Sequence, residues 1–230
     1  MKTLAAALAL LFLASSAEAQ VFRLGARGSL VVPVGALSTR FLAAPGLGVD
    51  ARWEGGRLSW GATLDFVRFD RENIDELVVS DSAVIAGTQV LYTAHLDGLV
   101  MELDVLGMSA QGRYAVLDFG TVEVDGAFGF GLYYWTFQRE HYHDSVFVDT
   151  PTGPELASVL DVPADSQTDW SGGVNLGAEV RLKFFSPVWI TLGASYRIVI
   201  GELWPALAID MENVSGMQML DLTAGVSVSF

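Results

Sequence analysis

The chain has 230 residues and a formal net charge of −14; 51% of its residues are apolar and only 17% are charged. This length fits one domain, or two at most. Such an acidic chain is a poor partner for nucleic acid, and without cysteine it has no disulfide, thiolate chemistry or cysteine-ligated zinc. Past residue 20, no segment approaches the roughly 18 apolar residues that a spanning helix needs.

The first residues have the organisation of an export signal. Met1 and Lys2 give a short positive start, an apolar stretch follows from Leu4 to Ala14, and Ala17-Glu18-Ala19 fits a small-x-small cleavage site. We therefore predict a signal peptide over residues 1–19 and a single exported domain over residues 20–230.

From Phe22 onward the dominant hydrophobic period is two, the period of a β-strand. Between Val122 and Tyr134, for example, the even-numbered positions are apolar or glycine and include Phe128, Phe130 and Leu132. The pattern predicts eight strands, at about 22–32, 47–54, 57–69, 100–117, 122–134, 169–183, 188–199 and 220–230. The fourth changes parity between Val105 and Leu106, which predicts a β-bulge there or a strand that starts near Asp104.

The connections between these strands alternate in length. Short turns are expected at Gly55-Gly56, at 118–121 and at 184–187, and long loops at about 33–46, 70–99, 138–168 and 200–216. An even strand count with short turns at one rim and long loops at the other is typical of a bacterial outer-membrane barrel. The fold class predicted is all-β: an eight-stranded antiparallel transmembrane β-barrel with short periplasmic turns and long extracellular loops.

Charged residues share the parity of the small polar residues in their strands. In lipid each would cost on the order of 2–4 kcal/mol near the bilayer midplane, whereas inside an eight-stranded barrel they can pair across the lumen. The predicted interior charges are Arg23, Arg27, Asp50, Arg52, Glu54, Arg57, Asp65, Asp104, Arg113, Glu123, Asp125, Glu179, Arg181, Arg197 and Asp221.

Aromatic residues lie where interfacial girdles are expected. The long-loop rim is predicted to carry Tyr133, Tyr134, Trp135, Phe137 and Trp170. The short-turn rim is predicted to carry Phe22, Trp53, Phe184, Phe185, Trp189 and Phe230.

With these features, the chain resembles the small outer-membrane β-barrels of Gram-negative bacteria, the group that includes the OmpA transmembrane domain, OmpX and OmpW. The final apolar alternation is similar to the C-terminal signal that the barrel-assembly machinery binds; it comprises Leu222, Ala224, Val226, Val228 and Phe230. One departure is Thr223, which stands where that signal has glycine. The resemblance implies residence in the cell outer membrane among lipid and lipopolysaccharide.

The resemblance leaves the function open, because this fold carries pores, adhesins and lipid-modifying enzymes. We expect a structural role or a narrow passage for small solutes, without catalysis and without a cofactor. One alternative is a lipid A-modifying hydrolase, because His143 and Ser145 resemble the His-x-Ser pair of lipid A deacylases, with Glu140 or Glu155 as the orienting acid.

The acidic loops suggest two further possibilities. Residues 71–98 hold five acids and one arginine, and residues 139–169 hold seven acids and one arginine. Such loops could attract divalent cations, and His141-x-His143 with Asp144 could ligate a transition metal, although no metal site is assigned. A surface adhesion or partner-binding barrel acting through loops two and three is the other alternative, because the apolar stretch from Leu77 to Leu91 could extend a hairpin above the membrane.

Overall fold

The computed structural model describes residues 21–203 and 214–230, apart from residues 86 and 152 and the side chains of residues 202, 203, 214 and 215. The predicted signal peptide and most of the fourth loop lie outside these residues. No helix in the described part of the chain is long and apolar enough to cross a membrane.

The described residues form twelve strands and one short 3-10 helix, Gly35–Leu37. The strands are β1 Val21–Val34, β2 Ala44–Gly55, β3 Leu58–Phe69, β4 Val78–Ile85, β5 Thr88–His95, β6 Met101–Asp118, β7 Val122–Arg139, β8 Tyr142–Thr150, β9 Gly153–Val162, β10 Asp165–Phe185, β11 Val188–Leu203 and β12 Val214–Ser229.

Eight of these strands close an antiparallel barrel in the order β1-β12-β11-β10-β7-β6-β3-β2. The backbones of Phe22 and Phe230 exchange hydrogen bonds of 3.3 and 2.8 Å, so β1 and the chain that follows β12 remain hydrogen-bonded as far as Phe230. Closure leaves no strand of the barrel at an open sheet edge, as far as the described residues extend. The predicted fold class, an eight-stranded antiparallel barrel, is confirmed.

The other four strands form two hairpins, β4–β5 and β8–β9, inside the long connections. The first hairpin includes most of the apolar stretch from Leu77 to Leu91, and the second extends β7 and β10 beyond the barrel. We call this pair of hairpins the head. The short connections, β2–β3, β6–β7 and β10–β11, lie at the opposite end of the barrel.

The bulge predicted between Val105 and Leu106 is wrong. β6 begins at Met101 and its pairing with β7 continues without a shift through Val105 opposite Trp135 and Leu106 opposite Tyr134; the irregularity lies near the short turn, between residues 115 and 117. Val105 points inward and is buried, whereas Leu106 points outward. The apparent change of parity arises because this end of the lumen is apolar, so both faces of the strand carry apolar residues.

Candidate functional site

The half of the lumen near the short turns holds a network of buried ion pairs centred on Glu179. Arg52 donates a 2.8 Å hydrogen bond to Glu179 Oε1, while Arg113 Nε lies 3.6 Å from Glu179 Oε2 and Arg181 Nε lies 3.8 Å from Oε1. Asp50 joins the network 3.8 Å from Arg52. The Glu179 carboxylate therefore faces three guanidinium groups. Arginine suits such a buried site because its guanidinium is permanently charged and can donate two hydrogen bonds to one carboxylate.

A second cluster of charges lies closer to the short-turn rim. Arg181 contacts Glu54, Glu123 at 2.6 Å and Asp125 at 2.8 Å. Arg23 donates a 2.8 Å hydrogen bond to Glu54. Glu54 thus links two arginines from strands β1 and β10, and the cluster fastens opposite walls of the barrel together.

Two further ion pairs occupy the middle of the lumen and approach one another at Asp65, whose Oδ2 lies 4.0 Å from Arg197 Nη2. Arg27 bonds both oxygens of Asp65, with its Nη2 at 2.7 and 2.9 Å, and Arg197 Nη2 lies 2.8 Å from Asp221 Oδ2. A cavity of about 40 Å³, lined by polar side chains, lies beside them, and such a polar space is suited to water. A larger cavity of about 230 Å³, lined by Glu54, Arg57, Asp125 and their neighbours, lies at the short-turn end.

The structure places almost all of the predicted interior charges on the inner face. Two are elsewhere. Asp104 points outward and pairs with Arg68 at 2.6 Å, so its predicted interior position is wrong; its outward parity follows because β6 has no bulge between Val105 and Leu106. Arg57 lies exposed in the β2–β3 turn, at the mouth of the larger cavity.

The long-loop half of the lumen is filled by an apolar cluster, which we call the apolar cap. Its wall residues are Val31, Val67, Phe69, Met101, Leu103, Val105, Tyr133, Trp135, Phe137, Val199, Met217 and Met219. The cluster continues upward through Leu37, Phe41, Leu77, Leu96, Leu99, Leu160 and Val162 of the connections and hairpins. Polar and apolar parts of the lumen therefore succeed one another along the barrel axis.

Trp135 and Tyr133, which are predicted from the sequence to lie in an interfacial girdle, form the centre of the apolar cap. Trp135 is 0% exposed and its indole nitrogen donates a 2.9 Å hydrogen bond to Ser171 Oγ. The ring of Tyr133 occupies space that side chains at Gly107 and Gly173 would fill, since a Cβ at either position would lie 2.6 Å from a ring carbon.

The girdle predictions are therefore wrong for Tyr133, Trp135, Phe137 and Trp189, all of which are buried on the inner face. Trp189 lies beneath the Arg23 guanidinium, 4.4 Å from the ring centroid. Among the other predicted girdle residues, Tyr134 and Trp170 do face outward at the long-loop rim with ring centroids 5.2 Å apart. Aromatic identity alone does not distinguish a girdle from a lumen plug; the parity of the strand does.

The side chains of the final strand have the orientation that the sequence predicted. The stripe Leu222, Ala224, Val226, Val228 and Phe230 lies on the outer face, and Phe230 is strongly exposed. The inner face of β12 carries Asp221 and Ser227. The stripe is available to lipid, and its role as an assembly signal stays a prediction.

The residues of the hydrolase alternative lie on the outward face of the second hairpin. His143 and Ser145 are exposed on β8, and His143 Nδ1 lies 3.8 Å from Asp161 Oδ1, which also accepts a 2.7 Å hydrogen bond from His141 Nε2. The acid beside the histidines is thus Asp161 rather than Glu140 or Glu155. Within the part of the chain that the structure describes, no three His, Asp or Glu side chains are grouped as metal ligands.

Two titrating groups outside the barrel wall are shifted by their surroundings. Burial, together with the nearby charge of Arg139, lowers the pKa of Arg40 to about 10. Burial also raises the pKa of Tyr142, with a further contribution from its hydrogen bond to Asp144. Both residues lie where the loops and the head meet the apolar cap.

Comparisons with known proteins give a likeness in fold. No protein-family model and no curated protein sequence matches the chain. Neisserial surface protein A is 16% identical, with 93% of this chain and 100% of that chain covered and a TM-score of 0.47. A major outer membrane protein of Thermus thermophilus is 13% identical, with the same coverage and TM-score.

A third similar structure is the outer-membrane protease OmpT of Escherichia coli, which is 9% identical, with 94% of this chain and 100% of that chain covered and a TM-score of 0.45. The architecture expected from the resemblance to small outer-membrane barrels is confirmed by the closed barrel of this chain. The chemistry of the site depends on the contacts of its own residues.

Proposed function

We propose that this protein is a sealed outer-membrane barrel that conducts no solute, performs no catalysis and anchors the head outside the cell. The observation that carries the proposal is the apolar cap. Phe69, Leu103, Trp135, Met217 and Met219 are 0% exposed, so water does not reach them from either end of the barrel. An apolar plug of this kind excludes hydrated solutes, since a hydrated ion would have to lose its water to pass.

The outer wall supports a place in the membrane. Its exposed apolar residues include Leu47, Phe130, Leu176, Leu192 and Val226, and contiguous apolar surface of this extent on a barrel matches a lipid-facing band. The Tyr134–Trp170 pair lies at the long-loop rim of this band, and β8 begins eight residues later. The head would therefore start roughly 20 Å above the girdle.

The conductance of refolded protein in planar bilayers tests the proposal. We expect no discrete conductance steps from the wild-type chain. Regular ohmic steps would overturn the sealed lumen and favour the narrow solute passage. The matched variant is Trp135→Gly, which removes the largest side chain of the cap and should produce at least intermittent steps if the cap is the seal.

The proposed absence of catalysis is supported by the surroundings of His143 and Ser145. Both are exposed to solvent on the head, whereas acyl transfer benefits from donors preorganised in a water-excluded site. Lipid A from cells that express the wild-type chain or the Ser145→Ala variant should have the same mass spectrum. A deacylated species that depends on Ser145 would establish the hydrolase instead.

A further inference from the structure

The outward face of the β8–β9 hairpin carries an exposed apolar patch. Phe147 and Leu156 are directly opposite one another across the hairpin and are 61% and 53% exposed. Val159, opposite Ser145, extends the patch by one cross-strand pair. The other face of the hairpin is buried through Leu160 and Val162 in the apolar cap, so these three apolar side chains contribute nothing to that core.

Carboxylates border this patch at both ends. In the hairpin register, Asp149 follows Phe147 on the same face toward the tip, and Asp161 follows Val159 on the same face toward the barrel. Residues 139–169 carry seven acids and no lysine. The one arginine of this segment, Arg139, is buried and donates to the Pro163 carbonyl. Apart from His141 and His143, which contact Asp161, the charged side chains that this segment exposes are therefore carboxylates.

We propose that this face, the outward side of β8–β9, binds a basic amphipathic segment of another polypeptide. Apolar side chains of the segment would cover Phe147, Leu156 and Val159, and its lysines or arginines would face Asp149 and Asp161. The proposal rests on the proposed function only in that the barrel holds the head outside the membrane.

Charge and chemistry favour a basic amphipathic segment over lipopolysaccharide, a second copy of the chain or a divalent cation. Lipopolysaccharide phosphates and a second copy of the chain would both bring negative charge against negative charge, which costs affinity. A divalent cation would leave the apolar patch uncovered. A basic segment with apolar side chains matches both the apolar patch and the carboxylates that border it. The negative electrostatic potential of the carboxylates also speeds its association.

The test uses the full chain in nanodiscs of zwitterionic lipid, with empty nanodiscs as the reference for membrane binding. The probe is a short peptide in which lysine and leucine alternate, and the two control peptides alternate lysine with serine and glutamate with leucine. Titration calorimetry should show binding of the lysine–leucine peptide above the reference. Both control peptides should bind at least about tenfold more weakly, a difference of about 1.4 kcal/mol.

Variants of the head test the apolar patch and the bordering carboxylates separately. Phe147→Ser with Leu156→Ser should weaken binding about tenfold or more, as expected for exposed anchors of an interface. Asp149→Asn with Asp161→Asn should weaken it and reduce its salt dependence. The matched control is Leu91→Ser, which changes an even more exposed leucine on the other hairpin and should leave binding unchanged.

Three results of the binding experiments would overturn the proposal. One is equal binding of the glutamate–leucine peptide, another is unchanged binding by the Phe147 and Leu156 variant, and the third is no binding above empty nanodiscs. Self-association of the wild-type chain in sedimentation, abolished by Phe147→Ser, would assign the patch to a second copy instead. None of these results alters the conductance of the barrel, so failure here and failure of the sealed lumen can be told apart.

Discussion

Replacing Arg197 with methionine breaks an ion pair in the middle of the lumen. The guanidinium lies 2.8 Å from Asp221 Oδ2 and 4.0 Å from Asp65 Oδ2, and both Arg197 and Asp221 are buried. The variant leaves the Asp221 carboxylate buried without its main partner. Breaking a buried pair in this way typically costs about 3–5 kcal/mol, and we expect a loss of free energy of unfolding in this range.

The matched control is Arg68→Met on the outer wall. Its partner Asp104 accepts hydrogen bonds of 2.7 and 2.6 Å, which are at least as short as the contact of Arg197 with Asp221. However, the side chains of Arg68 and Asp104 are 50% and 32% exposed. An exposed pair contributes about 0–1 kcal/mol, so burial rather than distance should decide the order of the two effects.

Urea unfolding of the barrel in lipid vesicles, followed by tryptophan fluorescence and by heat-modified gel mobility, measures both losses. The double variant Arg197→Met/Asp221→Leu should recover most of the lost stability, because an apolar pair of similar volume leaves no buried charge. A loss below about 0.5 kcal/mol for Arg197→Met would mean that water solvates Asp221. That result would refute the reasoning and point to an open, hydrated lumen.

Trp135→Ala should lower the unfolding free energy by about 3–5 kcal/mol in the same urea assay, since it empties the centre of the apolar cap, and a loss no larger than that of the exposed Trp170→Ala would contradict the cap. Phe230→Ala should reduce the fraction of protein that reaches the outer membrane, measured by fractionation, more than it reduces barrel stability; full yield would disprove the assembly signal. Because the folded-state pKa of Tyr142 is raised, the folded chain retains its proton longer than the unfolded chain, and the associated stability is lost as pH rises from about 10 through the folded-state pKa. Tyr142→Phe should remove this alkaline loss in pH-dependent unfolding, and an unchanged profile would show that Tyr142 does not cause it.

The barrel could be predicted from the sequence because the two faces of its wall meet different environments. Along β7, outward Phe128 and Phe130 alternate with inward Asp125 and Gly129, and lipid on one side and a polar lumen on the other impose the period of two. The charges of the interior were predicted as a class by the same alternation. Their partners were not, since Arg52 and Glu179 lie 127 residues apart and nothing local in the sequence relates them.

The alternation failed where the lumen itself becomes apolar. At Leu103, Val105 and Trp135 the inward side chains are as apolar as the outward ones, so the polarity of a residue no longer reports which face of the strand it lies on. The head was foreseen in one of its two parts, by the apolar stretch after Leu77. The second hairpin was not predicted, because its exposed face mixes Phe147 and Leu156 with histidine, serine and aspartate, a composition that is also typical of a solvated loop.

The charged lower lumen has a consequence for how the chain enters a bilayer. A single strand such as β2 would expose Asp50, Arg52 and Glu54 to hydrocarbon as it entered the bilayer. The free-energy cost would be on the order of several kcal/mol for the three side chains together. In the charged part of the lumen, two more inward charges lie on β7, two on β10 and one, Arg197, on β11, so insertion strand by strand would add a further cost on the order of 10 kcal/mol. From this cost we expect the strands to curl with their charges inward before they reach hydrocarbon, so that membrane entry and circular closure through β1 and β12 occur together.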